Sequence, residues 1–263
     1  MSTFILDLDG TVYRDEAALP GARETIEELR RCGHRVLFAS NNSTHTRDDY
    51  VRRLGAMGLT IEPDGLATTG FATGLYLRDL PNPPRSLLVV GTAGLAREIL
   101  SAGLEARTDG RPPIDAVVIG LDRTFTFARL AEAQAAVLAG AHLIATNRDP
   151  QFPAQHGITP GAGALVAAVE VASQRTALVI GKPEPHLYSA LMKATGADPR
   201  KTVVVGDSML SDIPATVPLG LFSVLVLTGV TKVAPTGAPP DLVIPSIGDL
   251  IPALERVRPD LLA

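Results

Sequence analysis

A chain of 263 residues can bury a sizeable core and accommodates one or two domains. Hydrophobic residues make up 46% and charged residues 20%, which excludes disordered and fibrous classes. A net charge of −4 gives no support for nucleic acid or an anionic membrane as the main partner.

Taken in chain order, short β-branched apolar runs recur at FILDLD (4–9), RVLFAS (35–40), SLLVVG (86–91), DAVVIGL (115–121), HLIATN (142–147), TALVIG (176–181), TVVVGD (202–207) and FSVLVLTG (222–229). They are continuous rather than alternating, the pattern of parallel strands covered on both faces. Helical patterns lie between them. Residues 20–33, PGARETIEELRRCG, have Pro near the start, acids early, bases late and a terminal Gly. Residues 127–140 and 163–174 are Ala-rich with apolar residues at helical spacing. The alternation predicts an α/β fold with a largely parallel sheet. Two breaks, the proline-rich DLPNPPR (79–85) and SQRT (173–176), delimit about a hundred residues, enough for a small domain inserted into a core made from both ends of the chain. The expected limits are 1–80 and 178–263 for the core and 81–177 for the insert.

Cys32 is the sole cysteine, so neither an intrachain disulfide nor a cysteine-rich zinc cluster can form. The N-terminal MSTFILDLDG lacks the pattern of a signal peptide, and no apolar run approaches the roughly 20 residues of a membrane helix. The expected location is the cytoplasm.

Four short segments carry chemistry, each just after an apolar strand: DLDGT (7–11), SNNS (40–43), GKP (181–183) and GDSMLSDI (206–213). In open parallel sheets, the carboxyl ends of the strands form the crevice where ligands bind. Asp7, Asp9 and Asp207 converging there would repel one another unless a cation sits among them. With only hard oxygen ligands at hand, magnesium suits the site better than zinc. Lys182 and the Ser40 hydroxyl then supply a positive charge and a donor for phosphate oxygens. An aspartate can act as a nucleophile, and a second can protonate the leaving group and later deprotonate water. A lone DxDG is a weak signal, because Asp-Gly after a strand is ordinary turn chemistry; the four segments in order are a strong one.

DxDGT, a strand-end Ser, then Lys, then GDxxxSD resembles the haloacid dehalogenase (HAD) superfamily of phosphohydrolases. The stretch from GLDRTFTF (120–127) through TNRDPQFPAQHGITPGAG (146–163) to GKPEPHLY (181–188) is similar to its NagD-like, 4-nitrophenylphosphatase branch. The likeness continues to LTGVT (227–231) and DLVIPSIGDL (241–250). It implies a doubly wound, Rossmann-like parallel-sheet core with an inserted α/β cap domain. It implies Asp7 as nucleophile, Asp9 as general acid/base, Ser40 and Lys182 as phosphoryl ligands, and Asn41 beside the phosphoryl group. Magnesium would be held by the side chains of Asp7 and Asp207 and the backbone carbonyl of Asp9, with Asp212 orienting metal-bound water. Ser208, where many relatives carry a basic or amide residue, and TVPLGL (216–221), where a Gly/Asn turn is commoner, depart from the branch at the site's rim.

In the inserted segment, Arg148, Gln151, Phe152 and His156 are candidate substrate contacts, and GTAGLAR (91–97) reads as a plain strand-turn-helix. The expected activity is a magnesium-dependent phosphatase acting through an aspartyl phosphate on a small phosphorylated metabolite. Neither nucleic acid nor membrane is expected as a partner, and a homo-oligomer stays open. Two other readings also stay open: a phosphotransferase or mutase using the same aspartyl phosphate, and a non-enzymatic phosphoaspartate signalling module. Asp9 and the insert speak against the module, which needs neither an acid for a leaving group nor a lid.

Overall fold

The computed structural model describes residues 1–154, 157–237 and 240–263. From the N-terminus come β1 (Thr3–Asp7), a small hairpin of β2 (Tyr13–Arg14) and β3 (Ala17–Ala18), α1 (Ala22–Arg31), β4 (Arg35–Ser40), α2 (Arg47–Ala56), β5 (Leu66–Thr68) and α3 (Thr69–Arg78). The middle holds β6 (Leu87–Val90), α4 (Ala93–Ser101), β7 (Ala116–Ile119), α5 (Phe127–Leu138), β8 (His142–Ala145), the hairpin β9 (Gln151–Ala154) and β10 (Gly157–Pro160), α6 (Ala162–Ser173) and β11 (Leu178–Val179). The chain continues with α7 (His186–Thr195), β12 (Thr202–Gly206), α8 (Asp212–Thr216), β13 (Phe222–Val226), β14 (Leu242–Ile244) and α9 (Leu250–Val257).

Contacts divide the chain into two compact units. The first comprises Met1–Ser40, Arg47–Ala67 and Lys182–Ala263. Its sheet, over the described residues, has six strands in the order β14-β13-β12-β1-β4-β5. The ladders of β1 with β4 and β12, of β12 with β13 and of β13 with β14 are parallel. The chain starts at β1 in the middle, runs outward through β4 and β5, then returns to build the other half from β12. The strand order therefore reverses between β1 and β12, and ligands of such sheets bind at that switch point. Phe4, Leu6, Val36, Phe38, Val203, Val205 and Val224 from these strands pack with Ile26, Leu29, Leu54 and Leu250 from the helices into one buried cluster. Ile5, Leu37, Val204 and Leu225, which alternate with them and face the other way, are buried as well, and covering on both faces explains why the strands read as unbroken apolar runs.

The second unit comprises Asn41–Thr46 and Thr68–Gly181. It has its own parallel four-stranded sheet, order β11-β8-β7-β6, and the antiparallel β9–β10 hairpin. Val90, Val117, Ile119 and Leu143 pack against Ala133, Val137, Val166 and Val169 of α5 and α6. The sequence placed the first division at the proline-rich 79–85; by contacts, α3 groups with α4 instead. Gly74 of α3 lies so near the Ile99 carbonyl and Ala102 that a Cβ would overlap both, so the two helix backbones nearly touch. Thr68 ties the same junction twice, accepting from the Phe71 amide and donating to buried Glu98 at 2.9 Å.

Candidate active site

Parallel register delivers the acids to one edge. Asp7, the last residue of β1, pairs with Ala39, so Ser40 follows one step on along β4. On the other side Leu6 pairs with Val205, and Asp207 stands two residues beyond it. Lys182 enters from the start of the chain's C-terminal segment and Asp212 opens α8.

Lys182 is the hub. Its Nζ donates to Asp7 Oδ1 at 2.6 Å and to Asp212 Oδ1 at 2.6 Å. All three side chains are buried, and burial alone favours neutral forms. For Lys182 the carboxylates of Asp212 and Asp7 outweigh burial and push its pKa well above the usual lysine value, so it stays an ammonium. Asp7 is pushed well above the usual carboxylate range by burial, against the pull of Lys182 and helped by the charges of Asp212 and Asp207. Asp207 rises to about 6, again chiefly through burial and the nearby Asp212 charge. A cation among these carboxylates would reverse the balance for both.

Asp212 is a fixed anchor: Oδ1 takes Lys182 and the Tyr188 hydroxyl (3.2 Å), while Oδ2 takes the Ser208 amide at 3.0 Å. Asp207 accepts from the Val230 amide, and its own carbonyl accepts from the Thr231 amide at 2.9 Å. The loop carrying Val230 can come this close only because of glycine. A Cβ on Gly229 would overlap the Asp207 carboxylate, and one on Gly10, which has φ +83°, would lie 2.7 Å from Asp207 Oδ2.

Carboxylate oxygens of Asp7, Asp207 and Asp212 all lie within 4.8 Å of one another, the one acidic group among the described residues able to hold a metal ion. The donor set fits a hard divalent cation such as magnesium and not zinc. Asp212 has protein donors on both oxygens, whereas Asp7 Oδ2 has none among the described residues. Asp7 and Asp207 are thus better placed as ligands than Asp212.

The other expected residues are placed as follows. Asp9 is exposed just past β1, and its Oδ2 accepts from the Tyr13 hydroxyl at 2.8 Å. The Ser40 hydroxyl lies 3.0 Å from the Tyr50 hydroxyl. Asn41 belongs to the second unit, where its carbonyl accepts from Thr69 Oγ1 (3.0 Å) and Asn147 Nδ2 (2.9 Å). Arg148 spends its guanidinium on Glu170, which also accepts from the Ala177 amide at 2.7 Å, so Arg148 staples its loop to α6. Gln151 opens β9 and is exposed; Phe152 lies 5.6 Å under the Arg123 guanidinium. His156 lies outside the described residues. Ser208 does not open the rim: it is buried, and its hydroxyl accepts from the Leu210 and Ser211 amides at 3.2 Å each, closing the turn before α8.

Two groups escaped the sequence reading. Tyr188, in the first turn of α7, donates to Asp212 with the Lys182 ammonium 5.9 Å from its ring. A phenol in the first turn of the helix after GKP was the only signal. The Gly229–Val230 backbone holds Asp207 with no side chain to announce it.

Known proteins resemble this chain along most of its length. A model of haloacid dehalogenase-like hydrolases matches residues 4–105, and a HAD-hydrolase-like model matches residues 179–250. The glycerol-3-phosphate phosphatase of Gallus gallus is 33% identical over 97% of this chain and 92% of its own length. Human chronophin is 37% identical over 95% and 92% respectively. The solved structure of NagD from E. coli K-12 superposes with a TM-score of 0.86 at 29% identity, covering 95% of this chain and 98% of that one.

Proposed function

Because the chain belongs to the haloacid dehalogenase-like hydrolases, in their NagD-like branch, we propose that it hydrolyses a small phosphomonoester through an aspartyl phosphate formed on Asp7 with magnesium bound. The observation that carries this reading is the Lys182 ammonium shared by Asp7 and Asp212, with Asp207 in the same carboxylate cluster.

Asp7, held by Lys182, attacks phosphorus in line with the departing oxygen. Asp9, two residues on and outside the buried cluster, donates a proton to that oxygen and later takes one from the attacking water. The Lys182 ammonium, fixed by Asp212 and Tyr188, offers its charge to the transferring phosphoryl group, and the Ser40 hydroxyl offers a hydrogen bond. Asn41 is assigned to the same phosphoryl group on the strength of the resemblance. Magnesium, held by Asp7, Asp207 and the Asp9 carbonyl, would neutralise the carboxylates and draw charge from the phosphate oxygens.

Residues 68–181 serve in this reading as the cap that sets substrate choice, with Gln151 and Phe152 as contacts and Arg148 as the staple behind them. The names of the relatives point to glycerol phosphate as the first substrate to try. The single cysteine, exposed and unpaired, supports work in a reducing cytoplasm; among the described residues no helix is long and apolar enough to cross a membrane. The test is a phosphomonoester panel assayed with magnesium and with excess chelator. Phosphate release that needs magnesium supports the proposal; equal release in chelator removes the metal from it.

A further inference from the structure

We propose that Tyr13 is a positioning residue of the acid/base step: its phenol holds Asp9 Oδ2 and so restrains the rotation of the carboxyl group that exchanges a proton with the leaving group and with water. The inference rests on the reading of Asp9 as the general acid/base.

The turn after β1 is closed on itself. The Tyr13 amide donates to the Leu8 carbonyl at 3.2 Å, and the Gly10 amide donates back to the Tyr13 carbonyl at 2.8 Å. Four residues of chain thus return Tyr13 beside Asp9, and the two form an isolated β-bridge. The Tyr13 ring is wholly buried in the core cluster, whereas Asp9 is exposed. A rigid, buried ring therefore carries its hydroxyl out to a carboxylate at the surface, 2.8 Å from Oδ2. Arg53 covers the ring face at 4.8 Å and is itself tied to the Asp15 carbonyl at 2.6 Å. A cation over the ring draws electron density from the phenol and strengthens it as a donor.

The geometry has a chemical consequence. A carboxyl group transfers its proton only from the oxygen that faces the reacting atom, and an unfixed carboxylate rotates. Anchoring Oδ2 on a buried phenol restrains that rotation and keeps the carboxyl group in one orientation for the exchange. A tyrosine serving the core alone would need only its ring, and its hydroxyl would lie beside any acceptor without consequence for the reaction.

The test is Tyr13→Phe, which keeps the ring under Arg53 and removes the hydroxyl. kcat/KM is measured for an alkyl phosphate, glycerol 3-phosphate, and for 4-nitrophenyl phosphate, whose leaving group departs with little need of a proton. The expected result is a loss of about 10-fold or more on the alkyl ester and less than about threefold on the nitrophenyl ester. Asp9→Asn should show the same selectivity more strongly, and the double variant should be no worse than Asp9→Asn alone. Equal losses on both esters, or no loss, would overturn the inference. If Asp9→Asn discriminates while Tyr13→Phe does not, only the role of Tyr13 falls; if Asp9→Asn itself does not discriminate, the acid/base reading falls and this inference with it. Should Tyr13→Phe not fold, fluorotyrosine placed at position 13 alters donor strength with the ring intact. An alkyl-to-nitrophenyl ratio that stays within about 1.5-fold of the parent would then overturn the proposal.

Discussion

Asp7 and Asp9 stand one residue apart yet occupy opposite environments, one buried against Lys182, the other exposed and held by a phenol. That contrast supports the different jobs proposed for the two like residues. Asp7→Asn should remove turnover by at least about 10³-fold while circular dichroism and melting stay those of the parent; turnover near that of the parent would refute the nucleophile assignment. The backbone offers a second test. Gly229→Ala puts a methyl where the Asp207 carboxylate lies, so the loop or the carboxylate must shift. Titration of the variant should show magnesium affinity weakened by about 10-fold or more, with Asp7 and Lys182 untouched; unchanged affinity would mean Asp207 is not a ligand. The clustering of Asp7, Lys182, Asp207 and Asp212 was legible because each sits in a motif bounded by a strand. Tyr13, Tyr188 and the Gly229–Val230 amide were not, since each matters through one hydrogen bond across the turn or the fold.

At the scale of elements, the eight apolar runs appear as β1, β4, β6, β7, β8, β11, β12 and β13 because each has enough β-branched residues to declare a buried strand. β5 (LAT) and β14 (LVI) are three residues long and give no periodicity to detect, although both lie at edges of the first sheet. β9 and β10 carry Pro153 and Pro160, which argue against a strand in a sequence but are tolerated in a two-stranded hairpin. The α3–α4 contact was invisible for a different reason: Gly70 and Gly74 look like helix breakers until a second helix lies against them. Gly74→Ala should therefore destabilise the protein by about 1–3 kcal/mol, against the gain that helix propensity alone would give. Denaturant unfolding decides it, and a variant more stable than the parent would show that the helices have room to part.

For the whole molecule, the buried carboxylates would make stability depend on a metal bound among them. The pKa of Asp207 is raised from its ordinary value to about 6, so the metal-free protein holds this proton between about pH 4 and 6 while the unfolded chain does not. This contribution to stability is present at low pH and is lost as pH rises through about 6, where the carboxylate must ionise in a buried place. A divalent cation bound among these carboxylates would relieve that cost. The rise in melting temperature on adding magnesium should thus be larger at pH 7.5 than at pH 5, where the ion competes with a proton. A rise of the same size at both values would place the ion elsewhere. The inverted strand order at β1 and β12 gathers these carboxylates at one edge of the sheet, an edge legible in the sequence through acids that each follow an apolar run.

The central claim is the covalent one, that Asp7 carries the phosphoryl group between the two steps. Enzyme turning over 4-nitrophenyl phosphate with magnesium is quenched in acid during the burst of nitrophenolate, reduced with borohydride and digested for mass spectrometry. The account predicts homoserine in place of aspartate at position 7, absent without substrate. A burst of nitrophenolate with aspartate intact at position 7, or with homoserine at position 9 or 207 instead, would contradict it.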